Sequence, residues 1–484
     1  MKNVKQCPFY FFWVLLLLCS HPPIAAASDW ADRIDRLKPT VVNLEVTTQV
    51  NLGLDTPGTL YGTGFIVDAK RGIVATNRHV TSTSPARIKI TFIDGSSTEG
   101  KMLYYDYYHD FAFVQFDPSP LALDLQEATL GSSFALRPQQ TVFLIGNNER
   151  EEYSVKIGMV VSTTVDKGSR YSSTIQTTFD RTSGSSGSPV FTENEHVIGI
   201  HFAGTDTSSF ELPIEYLADA LTMLQGDQLP QRGDVGLVLG YVNLDDAVKH
   251  LGITDQYRDL YKQEFPQSTK VIHIERIIPT SPAQGSLKPG DIVWAVGTQL
   301  MGDNLYLFDK LIDERVGQNV SLTVLRRKEA IDVELPVLNL EEEKTKEFLL
   351  FGGGTFQDIT SRIRRKLNYK DDGVFMNNVQ IGSAFSALGV HDARNPTARR
   401  VIIRELDGRE IRNLNDFISA ARNIANGAHT TVIYQDLLSL DTAPKVTYIS
   451  FDLMVSELRS FRLHDHARHW EETQWQEISQ KGQE

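Results

Sequence analysis

The sequence predicts a mainly β protein of about three domains, and three observations carry that expectation. The chain has 484 residues, more than a single hydrophobic core usually serves. Its apolar residues recur in short alternating runs closed by turn residues, as in residues 62–68 and 110–116, which is the period of half-buried strands. Farther on, Leu287-Lys288-Pro289-Gly290-Asp291-Ile292-Val293 sets a Pro-Gly-Asp turn directly before an apolar run, the punctuation of another β-rich unit.

Residues 1–27 read as a leader. Lys2 and Lys5 form a basic start, residues 9–18 an apolar centre, and Ala25-Ala26-Ala27 a small-residue cleavage site before Ser28. The apolar run is short for a membrane span; retention as an uncleaved anchor is the alternative to cleavage. Leu18, standing before Cys19, argues against a lipoprotein signal, which needs a small residue there. The expectation is an exported, periplasmic or otherwise extracytoplasmic protein. Both cysteines, Cys7 and Cys19, lie in the leader, so the mature chain would carry no disulfide. Loss of the two leader lysines takes the formal charge from −13 to −15. That balance argues against nucleic-acid or anionic-membrane partners. No His-Glu-x-x-His, paired-cysteine zinc pattern or P-loop occurs, so neither metal, cofactor nor nucleotide is expected.

The chemistry concentrates in Thr182-Ser183-Gly184-Ser185-Ser186-Gly187-Ser188-Pro189. Glycines two before and one after Ser186 let the chain turn tightly beneath its hydroxyl. The N–H groups of Gly184 and Ser186 can then aim at one point, which is what an oxyanion hole requires. Alone, such an octamer is as well read as a Gly/Ser loop. Upstream, His79 ends the apolar run 72–80 at a polar corner, and Asp110 opens the alternating run 110–116. The order His, Asp, Ser is that of chymotrypsin-type proteases. Residues 28–226 are therefore expected to form two β-barrels with His79, Asp110 and Ser186 in the cleft between them. Ser186 would be the nucleophile, His79 the general base and Asp110 the group that orients the imidazole.

These motifs resemble the HtrA/Deg family of PDZ-containing serine proteases. Residues 62–65 match its Gly-small-Gly-Phe strand, residues 76–80 its Thr-Asn-x-His-Val corner, and residues 110–114 its Asp-x-Ala-x-Val strand. One departure is plain. Most members carry Gly-Asn-Ser-Gly-Gly, whereas this chain has Gly184-Ser185-Ser186-Gly187-Ser188, a variant similar to the tandem nuclear HtrA proteins of fungi and to plant Deg forms. Gly226-Asp227-Gln228-Leu229-Pro230-Gln231 has linker composition, and residues 232–340 then resemble a PDZ domain. Gly233, Asp234, Val235, Gly236 and Leu237 look like the family's carboxylate-binding loop, so the resemblance implies capture of C-terminal peptides there. Residues 253–269 are longer than a minimal PDZ needs and predict an inserted helix. Residues 347–455 read as a second PDZ-like domain with a structural or regulatory role rather than peptide binding. Residues 456–484 read as a solvated or packed tail, its His464, His466 and His469 not a metal site. The resemblance also implies a homo-oligomer, a trimer or a multiple of one.

Two functions remain open at this level. One is an ATP-independent serine endopeptidase acting on unfolded or damaged proteins under PDZ control. The other is a catalytically silent chaperone or peptide-binding scaffold on the same fold. Specificity also divides. Asp180 lies six residues before Ser186, the position at the base of the primary specificity pocket in chymotrypsin-like folds. An acid buried there would favour Lys or Arg before the cut, whereas the resemblance implies a small aliphatic preference, with Arg181 available to pair Asp180.

Overall fold

The computed structural model describes residues 25–473, apart from 49, 51, 56–57, 149–150, 166–172, 181–182, 389–399, 438–441, 453–457 and 465–468. Residues 1–24 of the expected leader lie outside the described set. No helix of the described residues is long and apolar enough to cross a membrane.

Two six-stranded barrels build the first half. Strands β1 (Val41–Thr48), β2 (Gly58–Asp68), β3 (Ile73–Thr76), β4 (Ala86–Thr91), β5 (Ser97–Tyr105) and β6 (Ala112–Phe116) close in the order β1-β2-β3-β6-β5-β4. Strands β7 (Thr141–Asn148), β8 (Glu151–Val165), β9 (Thr174–Thr177), β10 (Pro189–Thr192), β11 (Val197–Gly204) and β12 (Ser209–Pro213) close as β10-β11-β12-β9-β8-β7. Closure removes every edge strand. Each barrel has its own aliphatic interior, Val42, Leu44, Ile66, Val74 and Ile90 in the first and Val142, Leu144, Val160, Ile175 and Ile198 in the second. A third cluster, with Phe65, Phe111, Phe113, Phe143 and Phe191, joins the two. That is why β3 and β10 are buried on both faces and read as continuous apolar runs.

Helix α1 (Ala25–Leu37) packs on the second barrel, with Trp30 edge-on to Phe143 at 5.2 Å. This ring is therefore engaged within the chain. A short helical turn α2 (Arg78–Thr81) carries His79, and α3 (Ile214–Gln225) closes the double barrel.

The next unit has a six-stranded sheet whose edge strand is Leu237–Asn243. Helix Leu305–Asp313 packs on it, and the expected insertion forms helix Asp255–Glu264, capped by Thr254. The last unit is a nine-stranded sheet around an aromatic core of Phe351, Phe356, Phe385 and Phe417. Here the boundary at residue 455 needs correction. Strands Arg459–His464 and His469–Thr473 extend that sheet, pairing first with Glu347–Phe351. Phe461 stacks on Phe348 at 4.8 Å and Trp470 meets the same ring at 4.9 Å. Charged residues alternating with these aromatics gave the segment the composition of a tail and the period of a strand. No cluster of three or more potential metal ligands occurs among the described residues.

A buried polar cluster holds the first PDZ-like unit to the protease half. Arg232 donates to Asp106 at 2.6 and 3.0 Å and also pairs with Asp313. His109 bonds Asp106 at 3.1 Å, approaches Asp309 at 3.4 Å and stacks on Tyr216. Burial works against the charge on Asp106, but Arg232 and His109 hold it well below the usual carboxylate range. Burial also opposes charge on His109, yet Asp106 raises it. Asp313 is pushed up to about 7 by burial. A raised histidine adds stability that is complete below its unfolded value of 6.5 and disappears as pH climbs through the folded value. Asp313 acts in the same direction between 3.8 and about 7. The melting temperature is therefore expected to decline more steeply as pH rises above 6.5 in the parent than in His109→Gln. Parallel thermal profiles would show that His109 does not carry charge in this cluster.

Candidate active site

The cleft between the barrels gathers the three residues that the sequence singles out. His79 sits on α2, one residue past Arg78, and its side chain is 39% exposed. Beneath it Asp110, 2% exposed, accepts from the His79 ring at Nδ1 over 2.5 Å and from the His79 backbone N–H at 3.0 Å. Asn77 Nδ2 donates to the Asp110 carbonyl at 2.7 Å, so both ends of the aspartate are fixed. The turn carrying Ser186 leads into β10. Thr63, on β2, ties it to the first barrel. Its N–H donates to the Ser186 carbonyl at 2.9 Å, its Oγ1 to the Gly184 carbonyl at 3.1 Å, and its own carbonyl accepts from Thr76 Oγ1 at 2.7 Å. Among the described residues no hydrogen bond joins Ser186 Oγ to His79; this contact commonly tightens only in the Michaelis complex.

The turn depends on its glycines. Gly184 and Gly187 have φ of +90° and +89°, a region closed to most side chains. A Cβ on Gly187 would lie 2.0 Å from the Thr63 carbonyl oxygen, and one on Gly184 would lie 2.2 Å from that of Asn147. The N–H groups of Gly184 and Ser186 donate to no partner among the described residues, as an oxyanion site needs. Ser185 is buried, Ser183 is exposed and Ser186 is half-buried in the turn, and it is Ser186 that the two glycines flank. Gly187→Ala should cost about 2–6 kcal/mol, from backbone strain and overpacking together. Urea unfolding would read this as a lower midpoint at unchanged slope.

Two other expectations fail. Asp180 is not at the base of a pocket: its carboxylate is 72% exposed and bonds Lys156 Nζ at 2.6 Å. That hydrogen bond lowers its pKa. The neighbouring Phe179 turns inward to the second-barrel core, and the chain alternation therefore carries Asp180 outward. Arg181 lies outside the described residues. Asp180→Ala is expected to leave the cleavage preference unchanged in a peptide-library profile; loss of cuts after Lys or Arg would restore the acidic pocket.

The second failure is the carboxylate loop. Gly233, Asp234, Val235, Gly236 and Leu237 are all buried. The Gly233 N–H donates to Asp313 at 2.7 Å and the Gly236 N–H to Asp234 at 2.7 Å. Two of the donors offered to a peptide carboxylate are thus already taken by the chain's own acids. The groove between strand Leu237–Asn243 and helix Leu305–Asp313 is lined as well by Tyr108 and His109 of the protease half and by Arg365 of the last unit. Arg365 Nη2 bonds both oxygens of Asp234 at 2.8 Å.

Several site residues escape sequence reasoning. Thr63 and Asn77 lie inside recognised motifs, but nothing local shows what they bond. Arg78 is buried, with Nη2 3.6 Å from Asp110 Oδ1 and Nη1 donating to the Tyr107 carbonyl at 3.1 Å. Behind the nucleophile turn, His201 pairs with Glu211 at 3.0 Å and with Ser209 at 2.8 Å, and Thr177 donates to Glu211 at 2.7 Å. The Gly187 N–H donates to the His201 carbonyl at 2.9 Å, so this buried cluster backs the turn directly. Its members meet through the pairing of β11 with β12 and of β12 with β9. Only the alternation of those strands hints at it.

Comparison with known proteins agrees with this geometry. Residues 62–200 match the family described as trypsin-like peptidase domain, and residues 344–426 match the PDZ-like domain. The pro-apoptotic serine protease nma111 of Aspergillus clavatus is 28% identical over 432 residues, covering 87% of this chain and 41% of that protein. NMA111 of Candida glabrata is 26% identical over 461 residues, covering 92% and 45%. Among solved structures, the HtrA-type protease AlgW with tripeptide aligns at TM-score 0.49 and 22% identity, over 64% of this chain and 97% of that one. The double barrel and the His79–Asp110–Ser186 cleft define a trypsin-like serine peptidase. With a PDZ-like match over residues 344–426 and relatives matched along nearly the whole chain, the protein is similar to the HtrA/Deg family of serine proteases. It spans less than half the length of the curated relatives it matches.

Proposed function

We propose that this chain is an exported, ATP-independent serine endopeptidase that cuts polypeptides already loosened from their folds. The single observation that carries the reading is the His79–Asp110 pair facing a Ser186 turn whose Gly184 and Ser186 N–H groups are unengaged among the described residues. In acylation, Ser186 Oγ attacks the scissile carbonyl carbon and gives its proton to His79 Nε2. The carbonyl oxygen becomes an oxyanion between the two N–H groups. The C–N bond then breaks as His79 returns the proton to the leaving amine. Water, deprotonated by the same histidine, attacks the acyl carbon and releases Ser186. Asp110 keeps Nδ1 protonated and stabilises the imidazolium without accepting the proton.

The sequence has no nucleotide-binding loop, so no energy source for forced unfolding is at hand, and substrates must arrive extended. With Asp180 exposed and bonded to Lys156, an apolar or broad preference before the cut is the reading we adopt. Export rests on the leader composition. The test is digestion of casein, an open substrate, beside a stably folded protein of similar size, without ATP. Mapped cuts in casein, none in the folded control and none with Ser186→Ala support the proposal. Casein left intact by the wild-type chain would overturn it.

A further inference from the structure

The four residues that lead into the acid of the triad are held by both C-terminal units. Asp106 and His109 go to the first PDZ-like unit, through Arg232 and Asp309. Tyr107 and Tyr108 go to the second. Tyr107 Oη shares a hydrogen bond with Ser361 Oγ at 2.8 Å and accepts from the Arg362 backbone N–H at 2.8 Å. Tyr108 Oη accepts from Arg365, whose guanidinium lies 4.4 Å from the Tyr108 ring centroid. Ser361, Arg362 and Arg365 all belong to helix Ser361–Leu367. The next residue is Asp110 itself.

We propose that helix Ser361–Leu367 of the second PDZ-like domain sets the position of Asp110, with Tyr107 and Arg78 as the positioning residues between them. The inference rests on the peptidase reading above. Its physical basis is a short path that runs from the half-buried Ser361 through the buried Tyr107 and Arg78. The Tyr107 hydroxyl is held from the helix, the Tyr107 carbonyl accepts from Arg78 Nη1, and Arg78 Nη2 stands 3.6 Å from Asp110 Oδ1. Tyr107 is 3% exposed and Arg78 6%. Neither can exchange its partner for water without cost. Apolar packing alone would hold two domains together. A buried hydroxyl bonded to a side chain 254 positions away and to the next residue's N–H fixes a register as well. Asp110 must hold the His79 tautomer through one hydrogen bond, and small displacements there are expensive in rate.

Steady-state kinetics of the full chain on a peptide substrate test this. Tyr107→Phe and Ser361→Ala each remove one hydroxyl and keep the packing. Each is expected to lower kcat by about tenfold with KM within about twofold, while Ser361→Thr, which keeps the hydroxyl, stays near wild type. The double variant should be no slower than the worse single, since both break one bond. Near-ultraviolet circular dichroism normalises the rates to folded protein. Singles with kcat within twofold of wild type, a double whose loss is the product of the singles, or a loss confined to KM would overturn the proposal. An inactive wild-type chain would strike the peptidase reading itself, so the two failures are distinguishable.

Discussion

Ser186→Ala is expected to lower kcat by about six orders of magnitude while leaving binding of an extended peptide and the melting temperature close to wild type. The reasoning is local. Ser186 is the half-buried serine of its turn, with Ser185 buried and Ser183 exposed. Removing Oγ deletes the one atom asked to attack. The turn itself is held by backbone groups: Thr63 N–H on the Ser186 carbonyl and Gly187 N–H on the His201 carbonyl. Alanine keeps both bonds. What activity remains would come from the oxyanion donors and from binding. Single-turnover assays with a chromogenic peptide, with binding followed separately by fluorescence, read the two effects apart. Turnover within tenfold of wild type would mean that another group attacks.

Asp110→Asn should be the second most severe change, at about four orders of magnitude in kcat. An asparagine fits the same space and keeps one oxygen. Its amide nitrogen, however, is a donor where His79 Nδ1–H needs an acceptor, so the ring is driven to the tautomer that cannot take the Ser186 proton. The aspartate is 2% exposed and bonded to His79 at 2.5 and 3.0 Å, so water does not substitute for it. The loss should ease as pH rises, because hydroxide can replace the missing base. A pH-independent loss of less than tenfold would remove Asp110 from the triad.

The parts of this account that are legible in the sequence are those in which chemistry and chain order coincide. Gly184 and Gly187 flank Ser186 because a side chain at either would collide with backbone oxygen. His79 and Asp110 each stand next to an alternating strand, so their settings are visible one residue at a time. The inserted helix Asp255–Glu264 likewise follows from local pattern. What escapes is what only packing brings together. Asp180 has the spacing of a pocket acid, but burial of Phe179 turns it outward to Lys156. The loop at Gly233–Leu237 has the pattern of a carboxylate site, yet Asp313 and Asp234 take two of its N–H groups. The strands after residue 458 look like a charged tail until Phe461 and Trp470 meet Phe348. Tyr107 and Ser361 are 254 positions apart, and no periodicity links them.

The central claim is that Ser186 is an activated nucleophile, and a fluorophosphonate probe addresses it most directly. The mature full chain is labelled at neutral pH with casein present, digested, and read by mass spectrometry. The account expects one adduct, on Ser186, absent from Ser186→Ala and formed at least a hundredfold more slowly in Asp110→Asn. An adduct on Ser183 or Ser185, or none on a chain whose near-ultraviolet spectrum shows it folded, would contradict the account and favour a peptide-binding scaffold built on a protease fold.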